Sequence, residues 1–204
     1  MNALPLTQRL EQIVKTRFIH LSQRLIRYLC VAMPPLNLTI RPTTIADVDQ
    51  ILSFIHQKAA FDGFTGTIAA TVTTLKQTLF GDRPCAEVVF AEVDRQVVGF
   101  ILFSQGYSSF LAQPTLWIDD LFVQSHWRRQ GIGAALIKHV VHIAHQRQCG
   151  RIEWTVATQN PDGIAFYKQQ GAQIQEAVRL CRMSAPTIAQ LASCAINHSN
   201  GHAD

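Results

Sequence analysis

Along the 204 residues, apolar positions alternate in some stretches and recur at helical spacing in others, and the two patterns succeed one another many times. Residues 36–41 alternate (Leu36, Leu38 and Ile40 between polar neighbours) and predict a strand. Thr44 with Asp47 three residues later has the spacing of a capping box and predicts a helix start. A second helix is expected over 68–80. Residues 87–93 and 97–103 read as strands, the latter the most apolar segment of the chain and therefore buried, with Asp94, Arg95 and Gln96 as a hairpin connection. The stretch 104–114, rich in Ser, Gln and aromatics, reads as a loop. A strand over 115–123, a long helix over 131–148, a strand over 151–156, a shorter helix over 161–170 and strands near 173–176 and 178–183 complete the order. This alternation predicts one three-layer α/β (α+β) domain over 36–185, a mixed central sheet of six to seven strands with helices on both faces. The remaining 186–204 read as a short polar tail, mobile at its end.

Residues 1–35 read as an appendage. Leu10, Ile13, Val14, Phe18, Leu21, Leu25, Ile26 and Leu29 recur at helical spacing until Pro34 and Pro35 break the pattern. Three readings of this amphipathic segment stay open. It packs on the core or in a dimer; translation starts instead at Met33; or it lies on an anionic membrane surface or serves as a targeting peptide.

Charge sharpens the division. The net charge is +4, and residues 1–33 hold five of the 18 Lys and Arg against one of the 14 Asp and Glu. The remainder is neutral, so the core carries no basic footprint for nucleic acid. A composition 48% hydrophobic and 16% charged suits a globular domain, and no apolar run approaches the roughly 18 residues of a membrane span. Five scattered cysteines without a Cys-x-x-Cys pair predict reduced thiols and a cytoplasmic setting, with neither a zinc site nor a disulfide framework.

The most informative stretch joins the strand ending at Val123 to the helix beginning near Gly131. Gly131 and Gly133 let the backbone approach a ligand, the helix presents free N–H groups and the positive end of its dipole, and Arg128 and Arg129 add charge. That chemistry suits a pyrophosphate. A nucleotide-hydrolysing P-loop fails for want of Gly-Lys-Ser/Thr, and a dinucleotide fingerprint fails because Leu136 stands near where its third glycine belongs.

What remains, Arg128-x-x-Gly131-x-Gly133 after Asp119-Asp120-Leu121-Phe122-Val123, resembles the acetyl-coenzyme A loop of the GNAT superfamily of N-acetyltransferases. The order and spacing of residues 116–123, the glycine turn and residues 160–172 (Asn160 to Ala172) are similar to its spermidine/spermine and thialysine acetyltransferase branch; Ile40-Arg41-Pro42 matches less strongly.

The resemblance implies an N-acetyltransferase acting on a small cationic primary amine by direct attack on acetyl-coenzyme A in a ternary complex, as a homodimer, with no metal. Main-chain donors from Arg129, Gln130, Gly131, Ile132, Gly133 and Ala134, together with Arg128, would hold the pyrophosphate. The edge at Leu121, Phe122 and Val123 would pair with the pantetheine arm. Asn160, also a helix cap before Pro161, would touch the cofactor near the thioester. Tyr167, a phenol protonated at neutral pH, would protonate the departing thiolate.

Asp119 and Asp120 stand where the family carries Glu-Asp and are linked to amine handling. Asp119 would take the amine proton, and as neighbours on a strand the two are expected on opposite faces. Phe61-Asp62, where the family has Tyr-Glu, and Glu153-Trp154 would line the acceptor site, an aromatic beside a carboxylate suiting a cation. His139, His142 and His145 read as a solvated helix face, and His126 and Trp127 as adenine contacts or loop filling. Two alternatives remain: a protein or peptide lysine acetyltransferase, for which the loop over 104–114 suggests too covered a groove, and an acyl-coenzyme A sensor without turnover.

Overall fold

The computed structural model describes residues 36–199; the amphipathic segment 1–35, with Met33, Cys30 and the Pro34-Pro35 boundary, lies outside the described residues. The chain divides into two compact units after Thr155. The first contains β1 (Leu38–Pro42), a 3-10 turn (Ile45–Asp47), α1 (Val48–Phe61), α2 (Val72–Phe80), β2 (Glu87–Val93), β3 (Gln96–Ser108), β4 (Gln113–Val123), a second 3-10 turn (Ser125–Trp127), α3 (Ile132–Gln146) and β5 (Arg151–Trp154). The second contains α4 (Pro161–Gln169) and α5 (Ala185–Ser199).

Among the described residues the sheet has five strands in the order β1-β2-β3-β4-β5, antiparallel throughout except for the parallel β4–β5 pair. Both faces are covered. Val48, Ile51 and Phe54 of α1 and Leu75 and Leu79 of α2 pack on Val88, Phe90, Phe100 and Phe122, with the Phe54 ring stacked on Phe100 at 5.5 Å and edge-on to Phe90 at 5.8 Å. Each such side chain contributes about 1.5–3 kcal/mol by leaving water. On the opposite face α3 buries Ile132, Leu136, Ile137, Val140 and Ala144, over the strand positions that alternate with the first set, Ile101 and Phe103 among them.

Asp94 and Arg95 form the two-residue turn between β2 and β3 with φ of 50° and 69°, both left-handed, which closes the expected hairpin. The stretch expected as a loop over 104–114 instead extends the sheet. Ser108 pairs with Gln113, so β3 and β4 form a long hairpin whose tip is only 109–112. Pairing with a neighbour overrides a polar, aromatic composition here. The sixth and seventh strands, expected at 173–176 and 178–183, do not form, and Val178, Leu180 and Met183 are exposed. An alternating pattern becomes a strand only where an edge pairs with it. The polar tail is also corrected: α5 starts there, its first turn opened by Ser184, whose hydroxyl meets Thr187 Oγ1 at 2.9 Å, with Pro186 in the first turn. Cys85, Cys149, Cys181 and Cys194 are free thiols.

β1 is tied to the first turn by charge. The Arg41 guanidinium donates to both Asp47 carboxylate oxygens at 2.9 Å and to Glu92 at 2.7 Å, while the Thr44 N–H donates to Asp47 at 2.8 Å. Arg41 first, then the Thr44 donors, outweigh partial burial and hold the Asp47 carboxyl down at about 2. A carboxyl depressed in the folded state stabilises the fold above its unfolded value near 4 and loses that contribution as pH falls through the folded value. Asp47→Asn should therefore cost about 1–2 kcal/mol near neutrality, with the deficit closing as pH falls towards about 2. Urea unfolding of both proteins across that range checks it.

Candidate functional site

The acid pair on β4 is shaped by one extra residue. Leu102 of β3 faces Asp120, but the next residue, Phe103, faces Ile118, so Asp119 is an unpaired bulge. Ile118 consequently shares the α3 face with Phe103, whereas Asp120 and Phe122 lie on the α1 face with Leu102 and Phe100. Trp117, opposite Ser104, is on the α1 face too, and its Nε1–H donates to Asp119 at 3.1 Å. The expectation that Asp119 and Asp120 point to opposite faces is thus corrected: the bulge places both on the α1 side.

There they meet the end of α1. Lys58 makes a charge-assisted hydrogen bond to Asp62, one turn on, and lies 3.9 Å from Asp120. Burial pushes the Asp120 carboxyl up from its ordinary value; Lys58 opposes this, while Asp119 and Asp62 add to it. Glu153, paired in register with Trp117, belongs to the same face, its carboxylate 2.8 Å from Arg151 Nε. Trp154, opposite Ile118, belongs to the α3 face, so the expected Glu153–Trp154 pair is split between the two layers.

β4 also outruns its neighbour. Pairing with β5 covers Thr115 to Ile118, and from Asp119 onward β4 has no partner on that side among the described residues. The Gln124 N–H donates to Val98 O at 3.0 Å, so the carbonyl of the same peptide plane, Val123 O, points away from β3. Leu121 and Val123 therefore direct their backbone N–H and C=O groups to this edge, while Phe122 directs its own to β3.

Arg128 reaches back to that edge. Its Nε–H donates to Val123 O at 2.8 Å, and its guanidinium lies 4.1 Å from the centre of the Phe61 ring and 5.6 Å from that of Phe122. Arg129 (φ 62°) and Gly131 (φ 83°) are both left-handed, and Gln130 Nε2 donates to His126 O at 3.1 Å, which folds the turn tightly. Gly131 caps α3 without any side-chain hydrogen bond, and the first intrahelical donor is Ala135 to Gly131 O at 3.0 Å. The N–H groups of Ile132, Gly133 and Ala134 thus have no intrahelical partner, as an anion-binding helix start requires. Just before the turn, Gln124 Oε1 and Trp127 Nε1 are buried with no partner among the described residues.

In the second unit, Asn160 Oδ1 accepts from the Gly163 N–H at 2.9 Å and so caps α4, with Pro161 in its first turn. A Cβ at Gly163 would stand 2.6 Å from Asn160 Nδ2, so glycine there leaves room for the cap. Tyr167 is half-buried near the end of α4, which Gly171 (φ 92°) closes as the Ala172 N–H donates to Tyr167 O at 3.0 Å.

Lys58 is the residue that the sequence reading missed. Its position four residues before Asp62 on a helical stretch was visible, but its approach to Asp120 depends on how α1 lies over β4. On α3, the His142 ring meets Gln146 at 3.0 Å, and among the described residues no three His, Cys, Asp or Glu side chains gather as metal ligands. No described helix is long and apolar enough to cross a membrane.

Comparison with known proteins places these features in a wider set. Residues 54–172 match the acetyltransferase (GNAT) family. The L-ornithine N5-acetyltransferase NATA1 of Arabidopsis thaliana is 33% identical over 190 residues, covering 71% of this chain and 83% of its own. The thialysine N-epsilon-acetyltransferase of Bos taurus is 28% identical over 142 residues, covering 66% and 83%. Among solved structures, the integron cassette protein VCH_CASS6 from the mobile metagenome of V. cholerae aligns at a TM-score of 0.64 with 26% identity, over 77% of this chain and 98% of its own.

The contacts of Arg128 predict a structural cost. Arg128→Met should lower stability by about 1–2 kcal/mol by orphaning Val123 O and stripping the Phe61 ring, and Arg128→Lys, without the planar fork, should recover only part of it. Chemical denaturation of the three proteins measures both differences.

Proposed function

The chain belongs to the acetyltransferase (GNAT) family and is an N-acetyltransferase, and from that premise we propose that it moves acetyl from acetyl-coenzyme A to the primary amine of a small cationic molecule. The observation that carries the reading is the unpaired edge of β4 leading into the uncapped start of α3. A strand edge offers an amide-rich pantetheine arm a ladder of hydrogen bonds at Leu121 and Val123, with Phe122 as the packed residue between them. The helix start and its turn, Arg129 to Ala134, offer a diphosphate N–H donors and positive potential. Both are parts of one chain segment, spaced as a single extended ligand needs. The names of the relatives, which act on ornithine and thialysine, support an amine acceptor.

The reaction joins the amine nitrogen to the acetyl carbonyl carbon and breaks the carbon–sulfur bond. An ammonium proton must leave and the departing thiolate must gain one. Asp120 is the acid placed to take the first, because burial raises its pKa towards that of a workable base. Asp119, oriented by the Trp117 N–H, holds the acceptor's other ammonium. This assignment moves proton removal from Asp119, where the sequence put it, to its neighbour. Tyr167 supplies the second proton as a phenol, and Asn160 holds the thioester end of the donor. Direct transfer in a ternary complex needs no covalent intermediate.

A thiol-release assay over an amine and peptide panel tests the reading. Release with ornithine, thialysine or a short diamine is expected; release only with peptides would point to a protein lysine acetyltransferase, and binding without release to a sensor. Tyr167→Phe should lower turnover by about 10²–10⁴. Asp120→Asn should remove the acid limb of the rate profile. In the parent enzyme the rate falls as pH drops through the raised Asp120 value, because only the ionised carboxylate accepts a proton.

A further inference from the structure

The acceptor side of this site already holds cations of its own. Four acids lie on the α1 side of the sheet or at the end of α1: Asp62, Asp119, Asp120 and Glu153. Lys58 serves Asp62 and Asp120, and Arg151 serves Glu153. Asp119 alone of the four has no cationic partner among the described residues; it accepts from the Trp117 N–H. The ring face of Phe61, suited to a cation, is taken by Arg128 at 4.1 Å. Lys58 is also the least exposed side chain of the three, 19% against 46% for Asp62 and 28% for Asp120.

We infer that Lys58 is a specificity-determining residue of the acceptor site, its ammonium a built-in occupant of the anionic pocket between Asp62 and Asp120, and that it confines acceptors to short amines carrying one ammonium besides the nitrogen that reacts. The inference rests on the acceptor reading above. A second free ammonium entering near Asp120 meets a like charge already seated there, and like charges at such separations repel strongly where water is partly excluded. A short diamine or diamino acid needs only Asp119 for its spare charge. A long polyamine would have to displace Lys58 or leave a charge unpaired. Negative and positive elements together set the choice, as discrimination between related ligands generally requires.

The test is Lys58→Met, with Lys58→Arg as the charge-preserving control. Each protein is assayed with ornithine, putrescine, spermidine and spermine, and each is titrated with spermine by calorimetry in the absence of donor. The expected result is a rise of about tenfold or more in kcat/KM for spermine relative to putrescine in Lys58→Met, carried by KM, with tighter spermine binding, while Lys58→Arg keeps the parent ratio. An unchanged ratio and unchanged spermine affinity in a folded Lys58→Met protein overturn the inference. If Lys58→Met does not fold, Lys58→Gln, which retains a donor towards Asp62, is read in the same way. Lack of turnover by the parent enzyme on every amine would instead count against the proposed function, and the calorimetric comparison would still decide for or against Lys58.

Discussion

One surplus residue in β4 reconciles two packing demands that a regular strand cannot meet. Ile118 must face α3 and Phe122 must face α1, yet both are even-numbered positions, and in an unbroken strand they would share a face. The bulge at Asp119 switches the alternation between them. Without it, either Phe122 would leave the aromatic cluster around Phe54 or Ile118 would leave the α3 layer, each at a cost of a few kcal/mol. A bulge also bends its strand and ends regular pairing, which fits the loss of β5 as a partner beyond Ile118. The core packing and the open edge therefore have a common cause, and the placement of Asp119 in the bulge and Asp120 beside it follows from it.

The two ends of the site rely on different kinds of charge. At the turn after β4 the positive potential comes from backbone N–H groups and the α3 dipole, which require only that Gly131 keep its left-handed conformation. At the acceptor side the potential comes from side chains, whose effect depends on length, burial and partner. Arg128 stands between the two. Its guanidinium is held by a carbonyl on one side and two rings on the other, so a residue expected to serve a phosphate also braces the strand edge.

Much of the turn after β4 was legible in the sequence because it is local. The spacing Arg128-x-x-Gly131-x-Gly133 fixes a turn and a helix start within six residues, and the structure has both. The capping of α4 by Asn160 and the hairpin at Asp94 and Arg95 were legible for the same reason. What failed depended on pairing between distant segments. Composition could not show that 104–108 pairs with 113–117, that 173–183 finds no edge, or that Asp119 is surplus in its register. Lys58 escaped notice because its importance lies in a neighbour 62 positions away, and helical spacing shows only the neighbour four positions away. The start of α5 is a different failure: Ser184 and Pro186 are ordinary opening signals, outweighed by a polar tail composition.

The same ion pairs that are proposed to narrow the acceptor site make its acids possible to build. Burial pushes the Asp120 carboxyl up, and the charges of Asp119 and Asp62 add to the effect. With no internal cation nothing would oppose that rise, and a protonated Asp120 would lose its hold on an amine. Lys58 opposes the rise at Asp120 and leaves one carboxylate, Asp119, for an incoming charge. A chain whose core is neutral by count can in this way present a free carboxylate on the same strand that leads to a positive helix start, because what a ligand meets is the unpaired remainder of each sign at each place.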